Sequence, residues 1–116
     1  MSMPARELDQ TQRAALAAVM EKWMDKTFYP ARARAGFKQD CRVCSDIVWD
    51  LEIAVDAGGH VVSLDVTGSI VDCPSKSAAE IEDFERNVLA GLRATVFPEQ
   101  LRGLTFAARF GQVTRC

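Results

Sequence analysis

The chain has 116 residues, 48% of them hydrophobic and 26% charged, which is the make-up of one ordinary globular domain able to bury roughly two thirds of its unfolded surface. A net charge of −2 gives no nucleic-acid signature. No run approaches the ~20 apolar residues of a membrane span, and the first ten residues lack the basic start and apolar stretch of a signal peptide.

Met1-Ser2-Met3 reads as a remnant ahead of a domain cut from a longer protein. From Glu7 to about Phe28, Leu8, Leu16, Val19, Trp23 and Phe28 recur at helical spacing, with Ala15 on the same stripe. Tyr29-Pro30 is expected to end this helix, because proline disfavours α geometry in the residue before it. Ala31 to Asp40 then reads as a loop. Lys22, Lys26, Arg32, Arg34, Lys38 and Arg42 crowd this region. Without aromatic or Gly-rich readout beside them they read as a solvated basic surface rather than a phosphate or anionic-lipid patch.

Between Arg42 and Val55 the period changes to two, with Val43, Ile47, Trp49, Leu51, Ile53 and Val55 on one face and Arg42, Asp46, Asp50 and Glu52 opposite. Asp56-Ala57-Gly58-Gly59 supplies a turn, and Val61 to Val71 resumes the alternation with Val62, Leu64, Val66 and Ile70 inward. His60 at the tip reads as an exposed turn residue. Ser77 and Glu80 have capping-box spacing and open a second helix with the stripe Ile81, Phe84, Val88, Leu92 and Val96, which Pro98 stops. In the last strand Leu104, Phe106, Ala108 and Phe110 alternate with Thr105, Ala107 and Arg109.

The expected fold is α+β, in the order α-β-β-α-β, as one domain over residues 1–116 with its core at about 8–112. Direction reversals give a three-stranded antiparallel sheet of order 2-1-3, with two helices packed on one face. The third strand then lies at an edge, where unpaired N–H and C=O groups recruit extended peptides.

This order, the long first helix, the Cys41 to Cys44 strand start, the Asp56 to His60 turn, Cys73 before the second helix and Phe97-Pro98 after it together resemble the periplasmic C-terminal domain of TolA and TonB energy transducers. The likeness spans roughly Ala14 to Gly111 and is nearer to TolA. It implies a periplasmic module of an inner-membrane-anchored protein that binds partners by strand addition. Such partners are TolB-like envelope proteins, outer-membrane receptor segments, and phage coat or bacteriocin (colicin) segments. Carried over, the binding element is Leu104, Thr105, Phe106, Ala107, Ala108, Arg109 and Phe110. The chain departs from the family in showing no anchor, stalk or targeting segment, and in its extra cysteines at Cys41 or Cys44 and at Cys116. The missing anchor counts against carrying over force transduction, whereas the edge-binding expectation stands without it, and any membrane contact would run through the missing anchor.

In a 2-1-3 sheet all four cysteines gather at one end, which points to disulfides in an oxidising compartment. Hairpin register puts Cys44 near Cys73, leaving Cys41 and Cys116 as a second pair or Cys116 as a free terminal thiol. The rival is a small metal-binding or thiol-redox protein, since Cys41-Arg42-Val43-Cys44 has the spacing that clips one metal. Its second half is missing. Asp46, Asp50 and Glu52, with Asp65 expected across from Asp50, could do hydrolytic acid–base work only in a cleft, and a solvated sheet face with Arg109 as counter-charge offers none. No phosphate loop, nucleophile elbow or triad is present, so no catalytic residue, metal or cofactor is assigned, and the chain reads as a binding module rather than an enzyme.

Overall fold

A computed structural model describes residues 3–36 and 46–113. The first helix starts at Gln10 rather than Glu7, because Asp9 forms a capping box: its Oδ1 accepts from Gln12 N–H at 2.7 Å, and Gln12 Oε1 accepts from Asp9 N–H at 2.9 Å. α1 (Gln10–Trp23) runs into a π-helical turn (Met24–Phe28) and on into α2 (Tyr29–Arg34). The expected stop at Tyr29-Pro30 is therefore overturned. Tyr29 N–H reaches back five residues to Met24 C=O, and the added residue makes room for the Pro30 ring. Pro30 then sits at the start of a new α segment, where its missing N–H costs nothing.

Two strands follow, β2 (Ile47–Val55) and β3 (Val61–Val71), then α3 (Ala78–Arg93) and β4 (Thr105–Gln112). The sheet corrects the expected three-stranded antiparallel architecture. It has four strands and is mixed, in the order β1-β4-β2-β3, because the N-terminal pair Met3–Pro4 (β1) lies parallel to β4. Neither residue has alternating neighbours, so periodicity could not reveal this strand. β4, β2 and β3 keep the expected antiparallel adjacency within it.

Trp49, Leu51, Ile53, Phe106 and Phe110 are fully buried on the inner face, covered by Trp23 and Phe28 from the first helical rod and by Phe84, Val88 and Leu92 from α3. Trp49 and Phe84 meet across the sheet–helix boundary at 6.0 Å between ring centroids. Each indole N–H finds an acceptor: Trp23 Nε1 donates to Val88 C=O at 2.9 Å and Trp49 Nε1 to Glu85 Oε2 at 3.0 Å.

β3 departs most from its periodicity. Two bulges add Val62 and Thr67 against β2, so Ile70 falls opposite Val48 on the outer face, 48% exposed, and Val62 stands out at 65%. Of the expected inward set, Leu64 is buried. Asp65, between the two bulges, falls opposite Glu52 rather than Asp50. α3 begins with the expected Ser77 and Glu80 capping box but ends at Arg93, before Pro98, as Thr95 Oγ1 turns back to donate to Gly91 C=O at 2.9 Å.

Candidate functional site: the β4 edge

β4 pairs with β2 without a bulge over eight residues, from Ile47 opposite Gln112 to Ala54 opposite Thr105. The register continues one step further, with Val55 N–H donating to Leu104 C=O at 2.9 Å. That bond sets the alternation of an antiparallel ladder. Leu104, Phe106, Ala108, Phe110 and Gln112 turn their main-chain polar groups toward β2, while Thr105, Ala107, Arg109 and Gly111 turn theirs toward the outer edge.

β1 covers part of that edge, with Met3 beside Phe106 and Pro4 beside Ala107. Leu8, buried in the core at 2% exposure, anchors this N-terminal arm. Among the described residues no strand pairs with the outer side of Ala108 to Gln112. The residues carried over from the family resemblance thus divide. Phe106 and Ala107 pair with the arm, Ala108 and Arg109 are bordered by its continuation through Ala5 and Arg6, and Leu104, Thr105 and Phe110 have no described strand beside them on this edge.

The opposite edge of the sheet is β3, eleven residues long, and its two bulges interrupt it within reach of Asp65. Bulges and charges are how edges are blunted against strand addition. β4 pairs without a bulge, with Gly111 at φ +130° near its end, whereas β3 carries two.

On the outer face beside β4, Arg109 forks onto Asp50, Nε to Oδ1 at 2.8 Å and Nη2 to Oδ2 at 3.1 Å, and Thr67 Oγ1 donates to Asp50 C=O at 3.1 Å. The guanidinium holds the Asp50 carboxyl below its ordinary range, chiefly through that hydrogen bond. Pro4, Arg6, Thr67, Ala107 and Arg109 border an open depression of about 460 Å³ at this place. A side chain of an added strand could rest there.

The other sites read from the sequence disperse. Cys73 is disulfide-bonded, and Ser75 Oγ lies 3.6 Å from its sulfur. An oxidised Cys73 offers no thiolate to a metal. Cys41, Cys44 and Cys116 lie outside the described residues, and so does the choice of its partner among them. Among the described residues no three His, Cys, Asp or Glu side chains are grouped to hold a metal ion, and no helix is long and apolar enough to cross a membrane. His60 is exposed at the hairpin tip, where its backbone N–H and that of Gly58 donate to Asp56 Oδ1, each at 2.9 Å. The His60 contact is the main reason the Asp56 carboxyl titrates below its ordinary range. The basic cluster also divides: Lys22 and Lys26 face a groove beside α1, Arg32 Nη1 donates to Gln112 Oε1 at 3.2 Å, and Lys38 and Arg42 lie outside the described residues.

Sequence reasoning missed Met3, Pro4 and Thr67. The first two gave no signal, but Thr67-Gly68, a glycine inside an alternating run, is the kind of break that marks a bulge. No family model, curated protein or solved structure matches the chain.

Proposed function

We propose that this chain is a protein-binding module that takes an extended segment of a partner along the β4 edge, in the manner of the TolA/TonB C-terminal domains it resembles. The observation that carries the reading is that this unbulged edge already holds an extended segment, the chain's own Met3–Pro4, in register with Phe106 and Ala107. Main-chain groups of Thr105, Ala107, Arg109 and Gly111 would supply the affinity, and the depression beside Arg109 would supply selection. A partner strand would extend β1's side of the sheet beyond Ala107 or replace the arm along the whole edge. The disulfide at Cys73 supports an oxidising compartment, in keeping with a periplasmic address and with partners of the envelope class: TolB-like proteins, receptor segments, and phage coat or bacteriocin segments.

The test is an amide chemical-shift titration with extended peptides selected from a random display library. The largest changes are expected at Thr105, Ala107, Arg109 and Gly111, with Met3 shifting as well. Ala107→Pro, which removes an outward N–H without touching the β2 ladder, should weaken binding roughly tenfold. Side-chain changes at Thr105 should matter less. Shifts centred on β3, on the Cys73 end or on the Asp46, Asp50 and Asp65 face would overturn the reading.

A further inference from the structure

A second feature lies on the other side of the molecule, between α1 and the chain that leaves α3. Ala14, Ala15 and Ala18 form one wall of a groove of about 860 Å³, and Val96, Phe97 and Pro98 form much of the other. Its volume is within the ~300–1,000 Å³ of sites that enclose small ligands. The groove stays open for a local reason. Leu16, Val19 and Trp23 turn from the same helix into the core, and the methyl groups left on this side are too short to reach across. The lining residues of the first helical rod run from Thr11 in α1 to Thr27 in the π turn, so the groove extends roughly 20 to 24 Å at a helical rise of ~1.5 Å per residue. It is long and narrow rather than round.

Charge gives the second half of the argument. Lys22 and Lys26 stand one helical turn apart along the groove, Arg102 lines it beside Phe97, and no acidic residue is among its lining. Lys22 and Lys26 form no ion pair among the described residues. Arg102 is steadied by its Nε, which donates to Phe97 C=O at 3.4 Å. Like charges at i and i+4 repel on a bare helix, and an anion between them removes that repulsion. Val96, 56% exposed at the groove's edge, leaves apolar surface in water that an apolar ligand would cover.

We propose that this groove binds a single-chain anionic amphiphile of the fatty-acid class. The hydrocarbon chain lies along Ala15, Ala18 and Val96, and the carboxylate sits between Lys22 and Lys26. The site is separate from the β4 edge and does not depend on the strand-binding reading.

The probe is dodecanoate below its micelle-forming concentration, titrated into the full chain and followed by amide chemical shifts. Saturable changes centred on Ala15, Ala18, Gly91 and Val96 are expected. Dodecyltrimethylammonium, with the same tail and the opposite charge, should leave these amides unmoved. The double variant Lys22→Glu/Lys26→Glu should weaken dodecanoate at least tenfold. Ala18→Leu, at an exposed helical position that tolerates leucine, should fill the groove and abolish saturation without unfolding the protein.

Several results would overturn the proposal. One is changes that do not saturate or that centre on β4. Another is equal binding of the cationic probe. Concentration-dependent shifts at the same residues without probe would assign the groove to a second copy of this chain. Binding to anionic phospholipid vesicles but not to monomeric dodecanoate would assign it to a membrane surface.

Discussion

Arg109 and Asp50 join β4 to β2 through a two-pronged contact on the open face of the sheet, with the side chains still 53% and 44% exposed. Exposed pairs are weak even with good geometry, so a double-mutant cycle with Arg109→Ala and Asp50→Ala should give a coupling of about 0.3 to 1 kcal/mol in urea unfolding. A coupling above about 2 kcal/mol would mean that the pair is shielded from water in solution.

Stability should fall in acid for a reason that can be assigned to particular groups. Asp56, Asp50 and Glu80 all titrate below their ordinary values, because backbone N–H groups of His60 and Ser77 and the Arg109 guanidinium stabilise the charged forms. A carboxyl with a lowered folded-state pKa contributes stability above its unfolded value, and that contribution is lost as pH falls through the folded value. Denaturant midpoints should therefore hold steady from neutral pH to about 4.5 and decline below the ordinary carboxyl range of ~4. Asp56→Asn should flatten that decline. An unchanged slope would show that the turn carboxylate keeps its ordinary pKa.

Gly91 is where α3 crosses the π turn. A Cβ there would lie 2.5 Å from Thr27 Cγ2 and 2.8 Å from its Oγ1. Gly91→Ala should destabilise by about 1 to 3 kcal/mol, although alanine is the better helix former. Thr27→Ala in the same chain should recover most of the loss. A stabilised single variant would show that the helices part easily.

Trp49→Ala and Phe84→Ala should each cost about 3 to 5 kcal/mol in chemical denaturation, since both side chains are almost wholly buried and face each other. Trp49→Phe should cost less, reporting the lost hydrogen bond to Glu85 and a smaller void. Losses below about 1 kcal/mol for either alanine variant would place that ring outside the core.

Reduction should expose the contribution of the Cys73 disulfide. Unfolding midpoints with and without reductant should differ by an amount equivalent to about 2 to 4 kcal/mol. Non-reducing peptide mapping is expected to join Cys73 to Cys44; recovery of reduced Cys73 from an oxidising compartment would remove the support it lends to the periplasmic address.

The parts of the fold written in alternating or helical stripes could be read directly. Trp49, Phe84, Phe106 and Phe110 are buried where their spacing puts them, and Ser77 with Glu80 caps α3. What escaped depends on chain geometry rather than pattern. A two-residue strand has no period, so Met3–Pro4 carries none of its pairing in its composition. A bulge moves every later residue to the other face, and the one at Thr67 is why Ile70 turned outward. Pro30 is a poor stop signal when a π turn precedes it. The candidate edge was legible as a strand, but its internal occupant was not.

That occupant has a quantitative consequence for any strand that adds to β4. Met3 and Pro4 are tethered through Leu8, so they present themselves to Phe106 and Ala107 at the millimolar effective concentration typical of short linkers, whatever the dilution of the protein. A ligand reaching across Thr105 and Ala107 meets a built-in competitor, and its measured affinity is its intrinsic affinity scaled by the fraction of time the arm is away. A shorter ligand confined to Ala108 through Gln112 escapes this scaling. Affinity would then fail to rise steadily with ligand length, and removing two residues that touch no ligand would tighten the binding of long segments while leaving short ones unchanged.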